Sequence, residues 1–213
     1  MGQKHCGIFL SIGLLTNMKN ISYTRGTGVL EVLLARQRAN KANSFISKEQ
    51  RKGRVLDIGC GSYPYFLTSI DFKEKYGIDP ALTSTKIENI VLKKNDITKN
   101  KLSFKDNYFN VVTMLAVFEH IEQDKLPEVI HEIKRVLKKD GIFIITTPAP
   151  WADKLLHSMA RFRLISSEEI HEHKHNHPKE KIEGILTASG FEKKKIRSGF
   201  FELFMNMWFT AIK

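Results

Sequence analysis

The run GRVLDIGCGSYPYF, Gly53 to Phe66, ends an apolar stretch in an acid, Asp57, and follows it with Gly59 and Gly61. Glycines at such a place let a backbone approach a ligand with no Cβ in the way, and they tolerate unusual dihedrals. Two more apolar runs also end in acids. Asp79 closes "KYGIDP", where a carboxylate can accept hydrogen bonds from two ribose hydroxyls, and Asp96 closes "KKNDIT", placed to meet a purine edge. In an open α/β sheet, ligands sit at the carboxyl ends of the strands. A bare glycine turn, a ribose acid and a base-edge acid at three successive ends therefore describe an adenosine pocket, and a helix after the turn would offer N–H groups to an anion. A nicotinamide dinucleotide is the rival ligand. Its G-x-G-x-x-G fingerprint needs a glycine where Pro64 stands, and Asp57 is not part of it.

Histidines supply the other candidate chemistry. His120, in "FEHI" just past a fourth apolar run, lies on the same rim and has the pKa range of a general base. The competing role for it is to cap or pack the next helix. In "HEHKHNHP", His171, His173, His175 and His177 alternate. An extended chain would turn all four one way, and a helix would make two i, i+4 pairs. Either arrangement suits zinc, but no cysteine nearby completes a site, and no metal is expected.

These groups need a frame. "RVLDIG", "KYGIDP", "ENIVLKKND", "YFNVVTML" and "IFIITTP" are short, nearly continuous apolar runs, the pattern of buried parallel strands. "LPEVIHEIKRVLKKDG" is an amphipathic helix, with Leu126, Val129, Ile130, Ile133, Val136 and Leu137 on one face, Pro127 near its start and Gly141 after its end. Strand–helix alternation of this kind gives a sheet covered on both faces. "KEKIEGILTASG" is a helix closed by Gly190; "FEKKKIRSGF" and "FELFMNMWFTAI" are strands too close in sequence for a parallel crossover, so this pair is antiparallel. Ahead of the sheet, Val29 to Ile46 has helical spacing, with Leu30, Leu33, Leu34, Ala42 and Phe45 apolar and Arg36, Arg38 and Lys41 between them. The expected organisation is an N-terminal extension and helix over 1–50 and a main domain over 51–213, with a substrate-covering insertion around 151–178.

From Arg54 to Lys213 the chain resembles the class I S-adenosylmethionine-dependent methyltransferases. "VLDIGCG", "GIDP", "NDIT", "FNVVTMLAVFEHI", "EVIHEIKRVLKKDGIFIITTP" and "ILTASGF" match that family's motifs in order. The resemblance implies an α/β, doubly wound, seven-stranded, mostly parallel sheet with an antiparallel last strand. It implies S-adenosylmethionine as cofactor, with Asp57, Gly59 and Gly61 lining its methionine part, Asp79 on the ribose, Asp96 and Ile97 at the adenine, and Leu115 and Ala116 flanking it. Tyr63 replaces the usual third glycine, and Asn110 replaces an acid at the start of the fourth strand, where a structural role is expected. The segment also resembles the "EVLEH" stretch of ubiquinone-pathway O-methyltransferases, in which two glutamates and a histidine are implicated in metal binding. Glu119 and His120 match, but Ala116 replaces the first glutamate. Counting back from Gly190, His173 falls where relatives carry a histidine over the pocket. His120 and His173 are thus the candidate catalytic residues.

Composition limits the acceptor. The chain has 213 residues, enough for one domain with a full core. Two cysteines, one of them Cys60 in the glycine turn, argue against a disulfide framework and for a reducing cytoplasm. No stretch reaches the roughly 20 apolar residues of a bilayer span. "CGIFLSIGLL" resembles a short secretory h-region, but no cleavage pattern follows it, and Met18 is the expected start of translation. The net charge of +11 suits acidic partners, yet the lysines are scattered over the sequence as on a solvated surface. A small-molecule acceptor, methylated at oxygen on a sugar, lipid-linked or quinone-like compound, is the expected substrate. RNA is the alternative that the charge suggests. Against it, "MLAV" is not the Asn/Asp-Pro-Pro-aromatic motif of base methylases, and no Pro-Cys nucleophile is present. Peripheral contact with an anionic membrane fits the basic and aromatic residues.

Overall fold

The computed structural model describes residues 29–83, 85–152 and 177–213, with side chains from Leu33 onward. Among the described residues, eight strands form one sheet: β1 (Arg54–Ile58), β2 (Glu74–Asp79), β3 (Lys86–Ile87), β4 (Ile90–Lys94), β5 (Phe109–Leu115), β6 (Leu137–Pro148), β7 (Ile196–Phe201) and β8 (Asn206–Ile212). Their order is β3-β4-β2-β1-β5-β6-β8-β7. The five strands β4, β2, β1, β5 and β6 are parallel to one another, and β8, last in the chain, runs antiparallel between β6 and β7. The expected doubly wound sheet is therefore present, with one strand more than expected. That strand, β3, is two residues pairing antiparallel with β4 at the edge, too short to leave a periodic signal.

The helices among the described residues are α1 (Val29–Ser44), α2 (Lys48–Arg51), α3 (Tyr65–Thr68), α4 (Leu126–Val136) and α5 (Lys179–Ala188). On one face, α4 and α5 bury Leu126, Ile130, Ile133, Ile182 and Leu186 against Leu56, Val112, Met114 and Phe143 of the sheet. On the other, Ala39, Ala42 and Ile46 in and just after α1, with Phe66 and Leu67 of α3, cover Val55, Val111, Ile142 and Ile144. Small residues let α1 lie close to the strands, while its Leu33 stays 48% exposed. Each large apolar side chain taken from water contributes about 1.5–3 kcal/mol, so these two layers dominate the stability. Lys75 of β2 is buried and donates to the carbonyls of Leu67 (3.1 Å) and Ile70 (3.2 Å), tying the end of α3 to the sheet. No helix among the described residues is long and apolar enough to cross a membrane.

Three boundaries differ from the sequence expectation. Leu137 leaves the helix and opens β6, because its apolar side chain serves the core from either element. Asp140, at φ +60°, and a register shift between Phe109–Leu137 and Val111–Ile142 absorb the change of direction. Lys193–Lys195 form a 3-10 turn, and β7 starts only at Ile196. Glu202, Leu203 and Phe204 all have positive φ, so they make the hairpin turn and β8 starts at Asn206. Arg135 fixes the approach to β5: it pairs with Glu132 at 2.8 Å and Asp106, and donates to the carbonyls of Leu102 and Phe104, both at 3.0 Å.

Candidate functional site

Asp57 lies on the central strand, paired with Gly77 on one side and Thr113 on the other. It is buried, and its Oδ1 accepts the Thr113 hydroxyl at 2.6 Å. Burial pushes its carboxyl up to about 7; the Thr113 bond opposes that rise, and the Asp79 charge adds to it. Strand register puts Asp57, Asp79, Thr113 and Leu115 on one face, because side chains alternate along each strand. Thr113 lies within the fourth-strand motif but no role was expected of it; its place beside Asp57 explains it.

After β1 the chain turns through Gly59 (φ +72°) and Gly61 (φ +73°), conformations that side chains with a Cβ disfavour. The Gly59 and Cys60 amides both donate to the Ile78 carbonyl, at 2.8 and 3.2 Å, which holds the turn against the end of β2. A Cβ on Gly59 would come within 2.3 Å of Val117 Cγ2. The turn is thus clamped between β2 and the segment after β5. Cys60 is buried, and its thiol is pushed well above its usual range by that burial, so it is no nucleophile. The helix expected after the turn is a single turn, α3, preceded by Pro64, which has no N–H to offer. It is too short to act as an anion site, and Tyr63-Pro64 and Ser69 bound it on either side.

Asp79 ends β2 and is buried. Its Oδ2 accepts the Gly61 amide at 3.0 Å, and its Oδ1 accepts the Ala81 amide at 2.7 Å. A carboxylate has about four acceptor positions, so two remain for a diol. Asp96 follows β4 by two residues. Its Oδ1 accepts both the Thr98 amide (3.0 Å) and hydroxyl (2.7 Å), and its Oδ2 faces Lys99 Nζ at 3.1 Å. The Thr98 hydroxyl holds this carboxyl below the usual range, against the opposing effect of burial. Asp96 therefore builds its own turn first; only the oxygen facing the exposed Lys99 is lightly held. Ile97 beside it packs on the core, half-buried. Asn110 has the structural role expected of it, accepting the Arg54 amide at 3.0 Å.

The rim beyond β5 is the most unusual backbone of the site. Ala116 has φ +55°, and its amide donates to the Thr146 carbonyl at 2.9 Å. Leu115 and Ala116 are half-buried there. Phe118–His120 form a 3-10 turn in which Phe118 and Glu119 are buried and His120 is half-buried. Glu119 is 1% exposed, and its Oε2 has no hydrogen-bond partner among the described residues. A buried acid without a donor is costly; Glu119 was marked in the sequence only by its match to the "EVLEH" stretch, and its burial was not foreseen. His177 packs edge-on against Phe118, with ring centroids 6.0 Å apart. His171, His173 and His175 lie outside the described residues.

The strand-end groups suit a ligand that is cationic at one end and carries a vicinal diol in the middle. Two neighbouring acids, one of them destabilised by burial, gain from a positive group nearby. Asp79 has acceptor capacity for two hydroxyls, and the turn through Gly59 and Gly61 exposes bare peptide. S-adenosylmethionine has these features, and the residues fit it.

A sequence family described as a methyltransferase domain matches residues 32–196. Among curated proteins, an uncharacterised protein of Methanocaldococcus jannaschii is 37% identical over 93 residues, covering 43% of this chain and 39% of that protein. The chain spans about two-fifths of the length of the curated relatives it matches. Among solved structures, a SAM-dependent methyltransferase from Archaeoglobus fulgidus superposes with a TM-score of 0.63 at 18% identity, covering 95% of this chain and 100% of that one. Phosphoethanolamine N-methyltransferase 2 of Haemonchus contortus, in complex with S-adenosyl-L-methionine, superposes with a TM-score of 0.59 at 15% identity, covering 83% of this chain and 52% of that one. At such identities the structural likeness speaks for the fold.

Proposed function

The chain belongs to the methyltransferase-domain family, with S-adenosylmethionine as its methyl donor, and we propose that it methylates a small-molecule acceptor at oxygen. The observation that carries this reading is the cluster formed by the Gly59–Gly61 turn, Asp57 and Asp79, braced through the Gly61–Asp79 bond. In this reading Asp79 takes the ribose hydroxyls, and Asp57 with Gly59 and Gly61 lines the methionine part. Asp96 and Ile97 border the adenine, and Leu115 and Ala116 flank the cofactor at the end of β5. When bound, the cofactor supplies a methyl group on a sulfonium, open to direct displacement.

Displacement of this kind asks the protein chiefly for alignment and exclusion of water, and orientation alone can lower a barrier by about 7–11 kcal/mol. A hydroxyl acceptor also needs somewhere to send its proton. His120, at the end of the 3-10 turn beyond β5, is the base in this reading. It takes the hydroxyl proton as the new C–O bond forms and the C–S bond breaks, and returns it to solvent afterwards. His120→Ala should lower turnover at least about 100-fold while leaving the affinity for S-adenosylhomocysteine within about twofold. Equal turnover would return His120 to a packing role.

RNA is the second reading, favoured by the net charge of +11. Part of that charge already lies on the protein's own rings: Lys41 sits over Phe45 and Trp208, Arg54 over Tyr108, and Lys93 over Phe104. Such pairs use basic groups as surface cover rather than as a phosphate track. Salt-sensitive retention on RNA together with methylation of it would favour this second reading.

A further inference from the structure

The hairpin between β7 and β8 ends in an apolar tip that the core does not use. Leu203 is 86% exposed, Phe204 67% and Phe200 42%, and the Phe200 and Phe204 rings lie 5.9 Å apart. The backbone holds them out deliberately. Glu202, Leu203 and Phe204 have φ of +52°, +53° and +67° in succession, a conformation that L-residues avoid and that persists only where the surroundings impose it. The Met205 amide donates to the Glu202 carbonyl at 3.0 Å, the Asn206 amide group donates to the Glu202 carboxylate, and the Ala149 amide donates to the Met205 carbonyl at 2.8 Å. The last of these bonds pins the tip to the end of β6. Trp151, two residues further on, is 51% exposed. The parallel strands end at this rim, so the tip stands on the same side of the sheet as the Gly59–Gly61 turn and the strand-end acids.

We propose that this tip docks on an anionic lipid membrane and turns the carboxyl rim of the sheet toward an acceptor held in the bilayer. An interfacial contact needs apolar side chains that enter the acyl boundary and basic ones that meet anionic headgroups. The tip supplies the first. The second is supplied by the chain's net charge of +11, and at the base of the tip Arg38 of α1 offsets the one acidic side chain of the turn, Glu202. The charge complementarity favours a lipid surface over a second, equally basic copy of this chain. The purpose of the docking rests on the small-molecule reading above; the docking itself does not.

The test is flotation of the full chain with vesicles of phosphatidylcholine alone or with about one-third phosphatidylglycerol, in the absence of methyl donor. The wild type should float with the anionic vesicles and not with the neutral ones. The Leu203→Ser/Phe204→Ser variant should lose at least about tenfold in partitioning while binding S-adenosylhomocysteine as the wild type does. Failure of the wild type to float would overturn the proposal and leave the cofactor site standing. Equal flotation of the variant would also overturn it, as would a wild-type dimer that the two substitutions dissolve, which would make the tip a self-association surface. The shared cofactor titration separates either outcome from failure of the methyltransferase reading.

Discussion

The Asp79 carboxylate and the Gly61 amide, 3.0 Å apart, join the end of β2 to the turn after β1. The group proposed for the ribose therefore also shapes the peptide proposed to line the rest of the cofactor. Removing it should disturb both at once. Asp79→Asn keeps the size but can accept through only one atom, and should weaken S-adenosylhomocysteine binding at least about tenfold; Asp79→Ala should weaken it beyond about 100-fold. Stability should fall by about 1–3 kcal/mol in the alanine variant, from the amides left unsatisfied. Calorimetric titration and urea unfolding read the two effects separately.

Gly59 can be tested against its neighbour. Gly59→Ala must adopt a left-handed backbone, costing about 1–2 kcal/mol, and must also displace Val117, whose Cγ2 would lie 2.3 Å from the new Cβ. The single variant should lose at least about 2 kcal/mol by urea unfolding. Adding Val117→Ala should return the steric share and leave the dihedral share. A double variant no better than the single one would show that Val117 does not clamp the turn.

Asp57 makes stability depend on pH. Its carboxyl is raised from 3.8 to about 7 in the folded protein, first by burial. The folded state then holds a proton that the unfolded chain has released. This contribution is present in full below about pH 4 and is lost as pH rises to about 7, a change of order 4 kcal/mol. Asp57→Asn should flatten that slope, and an unchanged slope would assign the pH dependence elsewhere. Because the reading sets Asp57 near the ligand's ammonium, binding at pH 6 should release protons, measurable as a buffer-dependent heat.

Glu119 is buried with an oxygen that no described residue satisfies. Such a group lowers the stability of the fold. Glu119→Met should raise the thermal midpoint by about 2–4 °C and leave cofactor affinity unchanged. A lower midpoint would mean that the carboxylate is compensated in the folded protein.

Much of the frame was readable because strand ends announce themselves: "VLDIG" and "YGID" each end an apolar run in an acid, and those acids do stand at the carboxyl rim. The antiparallel pairing of β7 and β8 followed from the short connection between them, while the insertion of β8 beside β6 was implied by the family resemblance. What escaped depends on backbone detail or on neighbours distant in sequence. The positive φ of Ala116 and of Glu202 to Phe204 leaves no mark in residue types, since these are not glycines. Leu137 is equally apolar as the last residue of a helix or the first of a strand, so that boundary moved. Thr113 matters only because β5 lies beside β1, and Asp96 spends most of its carboxylate on a local turn that "NDIT" also permits.

The most direct measurement is a calorimetric titration of the purified full chain with S-adenosylhomocysteine, and separately with a nicotinamide dinucleotide. Saturable heat with the first, absent with the second and lost in Asp79→Ala, is the predicted result. No heat with S-adenosylhomocysteine, together with saturable binding of the dinucleotide, would contradict the assignment of the strand-end acids and with it the whole reading of the site.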